Sequence, residues 1–121
     1  MSDIQQLAEQ YIAVWNETDP AARRAGIDAV FAADGRYTDP LADVTGRDAL
    51  DAVIGAVQAQ FAGLVFTLGP VDAHHDIARF TWELGPAGGE SLVVGFDVIT
   101  TGEDGLVRSV LGFLDKVPAG A

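Results

Sequence analysis

Leu92-Val93-Val94-Gly95-Phe96-Asp97-Val98-Ile99 is rich in β-branched residues and carries one charge in an apolar run. Such a run suits a pleated strand better than a helix. It is apolar at both parities. Val93 and Ile99 fall on one face; Leu92, Val94, Phe96 and Val98 fall on the other. A strand with one face in water alternates more cleanly. The spacing therefore predicts a strand over Ser91–Thr101 with one side under helices and the other under a second subunit. Gly102-Glu103-Asp104-Gly105 reads as a turn, and Leu106–Leu114 as the last strand. In the other direction, Pro86-Ala87-Gly88-Gly89 is a turn. Ile77–Leu84 alternates as a strand, and Leu64–Val71 supplies another. Period-two patterning with Gly-rich punctuation predicts an antiparallel meander.

The first half has helical period. Helix one is expected from Ser2 to about Thr18, with Ser2 as cap and Gln5 as its capping-box partner. Ile4, Leu7, Ala8, Tyr11, Ile12, Val14 and Trp15 form its apolar stripe. Asp19-Pro20 caps and opens helix two, expected to reach about Ala33. Asp34-Gly35 is a turn signal, Arg36–Asp39 a short strand ended by Pro40, and Leu41–Gly46 a loop. Helix three is expected over Asp48–Gln60. Helices grouped ahead of an antiparallel sheet predict an α+β fold, with one domain over residues 1–121.

The chain has 121 residues, 49% of them hydrophobic, and its net charge is −11. That charge argues against nucleic acid and anionic membranes as partners. There is no cysteine, so disulfides, cysteine–zinc sites and a thiol nucleophile are excluded. No basic-then-apolar leader and no membrane-length apolar run is visible, so the expected location is cytoplasmic. No phosphate loop, dinucleotide fingerprint or metalloprotease motif occurs, and no cofactor or metal is expected.

Three polar residues interrupt apolar ground. Asp97 sits mid-strand, where a carboxylate is costly unless hydrogen-bonded, exposed or protonated. It reads either as a cavity-facing functional group, with Gly95 leaving room for a ligand, or as an exposed or Arg79-paired charge. Asp39 before Pro40 reads as a turn former or as a functional carboxylate. Tyr11 reads as a core aromatic or as a site hydroxyl. Arg79 and Glu83 share a strand face and are placed to pair. His74-His75 reads as a turn or rim pair, since adjacent strand residues point to opposite faces.

Three segments carry a resemblance: Glu9-Gln10-Tyr11-Ile12-Ala13-Val14-Trp15-Asn16 with Asp19; Tyr37-Thr38-Asp39-Pro40 with Gly46-Arg47-Asp48-Ala49-Leu50; and Gly95-Phe96-Asp97 with Asp104-Gly105-Leu106-Val107 and Val110-Leu111-Gly112-Phe113. Over nearly its whole length the chain resembles the NTF2-like superfamily, in its SnoaL-like and ketosteroid-isomerase-like branch. The resemblance implies a cone of helices on a curved sheet around an apolar pocket, and commonly a homodimer. Its implied lining is Trp15, Phe31, Phe61, Phe66, Arg79, Trp82 and Phe113. By the isomerase pattern, Tyr11 and a protonated Asp97 form an oxyanion hole and Asp39 shuttles the proton. The segment between Tyr11 and Asp39 is a few residues longer than in those isomerases. The arginine and aspartate of the epoxide-hydrolase branch are not both present, because Thr81 stands two residues after Arg79. In the polyketide-cyclase branch a strand histidine and aspartate matter. Asp97 answers the aspartate, but neither His74 nor His75 is assigned to the histidine.

The resemblance thus implies a cofactor-independent, isomerase-like enzyme moving protons on a small apolar cyclic carbonyl compound. The alternatives are a non-catalytic small-ligand-binding protein and a polyketide-cyclase-like enzyme.

Overall fold

A computed structural model describes residues 4–118. The elements in chain order are α1 (Ile4–Asn16), α2 (Pro20–Val30), β1 (Phe31–Thr38), β2 (Asp43–Thr45), α3 (Arg47–Gln60), β3 (Val65–His74), β4 (Ile77–Gly85), β5 (Val93–Thr101) and β6 (Val107–Lys116). The fold is α+β. The six strands form one sheet in the order β2-β1-β6-β5-β4-β3. The meander β3-β4-β5-β6 is antiparallel throughout, and β1 joins it by pairing parallel to β6. No helix among the described residues is long and apolar enough to cross a membrane.

The start of helix one at Ser2, with its Gln5 pairing, lies outside the described residues. The start of α2 follows the sequence reading: Pro20 opens the helix and the Asp19 carboxylate accepts from the Ala22 N–H at 2.9 Å. Its end does not. α2 stops at Val30 rather than Ala33, and Phe31 is already extended. Two things end it early. The Arg47 guanidinium donates to the Phe31 and Asp28 carbonyls, satisfying acceptors that the last turn leaves free. Phe31 also pairs with Val107 of β6. The expected turn at Asp34-Gly35 lies inside β1, where the register against β6 is irregular between Phe31 and Arg36. The Phe31 ring lies against Gly35, where a Cβ would meet it at 2.7 Å. The expected loop over Leu41–Gly46 contains β2, paired antiparallel to β1.

The helices cover one face of the sheet. Tyr11, Ile12 and Trp15 of α1, Ile27 and Val30 of α2, and Leu50 and Ile54 of α3 pack against Phe80, Ile99 and Val110. On the opposite face Phe96 and Phe113 stack at 4.9 Å and 11°, and Leu111 and Phe113 are 38% and 52% exposed. Every Lys and Arg is paired with a carboxylate: Arg23 with Asp51, Arg24 with Asp28 and Asp48, Arg36 with Asp43, Arg47 with Asp28, Arg79 with Asp72, Arg108 with Asp34 and Lys116 with Glu90.

Candidate active site

Between the helices and the sheet lies a cavity of about 470 Å³. Most of its wall is apolar or aromatic, and Trp15, Phe61, Phe66 and Trp82, named in the sequence reading, are among the residues that line it. Trp15, Phe66 and Trp82 meet edge-on in a row, each neighbouring pair 5.5 Å apart. Three residues of the expected lining stand elsewhere. Phe31 is fully buried in the core, drawn there by the β1–β6 pairing. Arg79 points to solvent and donates to Asp72 at 3.2 Å. Phe113 lies on the opposite face of the sheet, stacked on Phe96. Each follows from strand parity, which put these side chains on the wrong side of the sheet or under a helix.

The polar end of the cavity is built from adjacent strands. Asp97 on β5 pairs with Phe80 of β4 and Gly112 of β6. Asp39 follows β1, next to β6. A Cβ at Gly112 would lie 3.0 Å from Asp97 Oδ1 and 3.3 Å from Asp39 Cβ, so the two carboxyl side chains flank one empty glycine position. Both line the cavity.

Asp97 is 6% exposed, and among the described residues no cation reaches it. The alternative pairing with Arg79 does not form, because Arg79 is turned to Asp72; Glu83 for its part bonds Ser91. Trp82 Nε1 donates to Asp97 Oδ1 at 3.1 Å. Oδ2 accepts no hydrogen bond from the described residues. Burial pushes the carboxyl up, the Trp82 N–H holds it down in part, and the charge of Asp39 raises it again, leaving it at about 7. The space opened by Gly95 is taken by a side chain of the protein itself. The Trp82 indole lies over it, and a Cβ there would meet that ring at 2.5 Å. Gly95 is thus a seat that brings the indole N–H to Asp97.

Asp39 serves as both turn former and cavity residue. Its Oδ1 accepts from the Leu41 and Ala42 N–H groups, each at 2.8 Å, and its Oδ2 accepts from the Tyr37 hydroxyl at 2.5 Å. An environment of donors alone suits an ionised carboxylate. Tyr37 also lines the cavity and was missed in the sequence reading. Its signal was its spacing: two residues before Asp39, it shares that residue's strand face.

Tyr11 is 1% exposed and does not line the cavity. Its ring packs edge-on against Trp15 and Phe80. Its hydroxyl and the Trp15 Nε1 are both buried without a hydrogen-bond partner among the described residues. Burial first, then the charge of Asp97, pushes the phenol well above its ordinary value. The nearby Trp15 N–H opposes that rise without reaching hydrogen-bond geometry. His74 and His75 are exposed at the β3–β4 turn, and His75 has a positive φ of 51°. No group of three or more metal-ligating side chains occurs among the described residues.

This geometry meets its relatives at the level of family. The profile described as the SnoaL-like domain matches residues 8–110. The chain belongs to the SnoaL-like family. A SnoaL-like structure from Agrobacterium tumefaciens, described as a proposed isomerase, is 36% identical with a TM-score of 0.87; the match covers 92% of this chain and 96% of that one. A proposed ketosteroid isomerase from Kribbella flavida is 23% identical over 96% of this chain and 80% of its own, with a TM-score of 0.70. An NTF2-like protein of unknown function from Cytophaga hutchinsonii is 8% identical over 95% of this chain and 92% of its own, with a TM-score of 0.72, a likeness of fold alone. No functionally curated protein matches. Within this SnoaL-like chain, the fold is the NTF2-like cone.

Proposed function

We propose that this SnoaL-like protein is a cofactor-independent acid–base enzyme acting on a small apolar cyclic carbonyl compound. One observation carries the reading: Asp97, a carboxyl poised near neutrality with a free Oδ2, stands beside Asp39 at the polar end of an apolar cavity. Two carboxyls whose surroundings differ divide the roles of acid and base.

Asp39 takes a proton from the carbon next to the carbonyl. The C–H electron pair forms the enolate double bond, and the carbonyl electrons move onto oxygen. Protonated Asp97 donates a hydrogen bond from Oδ2 to that oxygen, where charge develops. Asp39 then returns the proton to the ring, at the same carbon or at the far end of the conjugated system. Tyr37 keeps the Asp39 carboxylate aimed through its O–H. In this reading Tyr37, which lines the cavity, stands nearer the chemistry than Tyr11, which does not. We further propose a homodimer joined across the outer sheet face.

Exchange of ring α-hydrogens in heavy water, followed by proton NMR over a panel of cyclic enones, tests the chemistry without requiring the natural substrate. Wild type is expected to accelerate exchange. Asp97→Asn and Asp39→Asn are each expected to slow it about a hundredfold or more. No acceleration by wild type across the panel sinks the enzyme reading.

A further inference from the structure

We infer that this cavity sorts ligands by the sign of their charge, accepting neutral and cationic ring compounds and excluding anionic ones. The inference rests on reading the cavity as the functional site. It goes further by naming which ligands the site refuses.

The argument begins with what could neutralise an anion. None of the chain's Lys or Arg side chains lines the cavity, and each is already paired with a carboxylate. Neither histidine lines it. The neutral donors beside the two carboxyls are also engaged, and Gln60, the other lining residue with a side-chain N–H, is exposed at the end of α3 and carries no charge. The Tyr37 hydroxyl and the Leu41 and Ala42 amides serve Asp39, and the Trp82 N–H serves Asp97. The Trp15 N–H has no partner but is wholly covered, so it offers nothing to a ligand. An anion entering this apolar space would lose its water and gain no counter-charge. It would also face two carboxyls.

A cation meets the opposite situation. Asp97 Oδ2 is a free acceptor, Asp39 carries charge beside it, and aromatic rings of the wall attract positive charge. A neutral ketone needs only one donor, which protonated Asp97 supplies.

Trp15 and Trp82 are the only tryptophans in the chain, and both line the cavity, so intrinsic fluorescence reads its occupancy directly. The probes are a tert-butyl-cyclohexanone, the matching cyclohexanecarboxylate and the matching cyclohexylammonium, titrated at neutral pH. The ketone and the ammonium are expected to bind, with the carboxylate at least tenfold weaker than the ammonium. The Asp39→Asn, Asp97→Asn double variant is expected to close that gap. Carboxylate binding equal to ammonium binding overturns the inference, as does a gap that persists in the double variant. Failure of both ketone and ammonium to bind at millimolar concentration also overturns it. Charge sorting without α-hydrogen exchange leaves this inference standing and removes the catalytic reading; exchange without sorting does the reverse.

Discussion

Asp97 links folding to pH through one carboxyl. In the unfolded chain it titrates near 3.9, as free aspartate does; in the folded chain burial lifts it to about 7. Below the lower value both states hold the proton and its contribution to stability is complete. As pH rises, the unfolded chain ionises first, and stability falls until the folded carboxyl also ionises. Asp97→Asn cannot ionise, so it is expected to be more stable than wild type at pH 8.5 and to lose that advantage towards pH 4. The swing is about 4 kcal/mol. Urea unfolding at the two pH values measures it. Carboxyl-carbon NMR of Asp97 gives the midpoint directly; a midpoint below 4 ends its role as a protonated donor. In Trp82→Phe, which lacks the N–H that favours the charged form, the same midpoint is expected to move further up. Asp97 was legible in the sequence because a lone carboxylate in a β-branched run needs an explanation. Its partner was not, because the Trp82 bond depends on β4–β5 register and on an indole folded over Gly95, neither of which local pattern encodes. Tyr37 was legible and passed over, being read as strand rather than as a donor to its neighbour.

The elements divide by how local their causes are. α2 begins where Asp19-Pro20 says it should, because cap and proline act within one turn. The meander is equally visible, since its alternation and its turn residues agree. β2 was invisible: of Asp43-Val44-Thr45 only Val44 is even half-buried, and the segment is a strand because β1 offers it an edge. Asp34-Gly35 carries a strong turn signal, yet it lies inside β1, at the irregularity between the Phe31 and Arg36 pairings with β6. The tightest constraint on the central strands is Gly95. A Cβ there would fall 2.3 Å from the Phe113 carbonyl oxygen and 2.5 Å from the Trp82 ring. Gly95→Ala is expected to cost about 2 kcal/mol or more, by forcing β5 from β6 or the indole from its seat. Chemical unfolding checks the cost, and a change in Trp fluorescence checks the displaced indole. A variant matching wild type in both would show that the strands have slack there.

On the whole molecule, the helix-free face of the sheet is where association is expected. Phe96, Val98, Leu111 and Phe113 form an apolar patch there, edged by the Arg36–Asp43 and Arg79–Asp72 pairs. A patch with a polar rim is the usual form of an interface. Sedimentation equilibrium at micromolar concentration is expected to give a dimer, and Phe113→Glu a folded monomer; a monomeric wild type sinks the proposal. The strand order has another consequence, which concerns time. β6 comes after every other element in the chain, yet it lies between β5 and β1. A growing chain leaves the ribosome from its N-terminus, so α1, α2, β1, β2 and α3 emerge well before the strand on which β1 must rest. Until Val107 and Val110 arrive, Phe31 and Tyr37 have no parallel partner. A nascent chain halted before them lacks the strand that lies between β5 and β1, so the cavity cannot close until β6 has emerged.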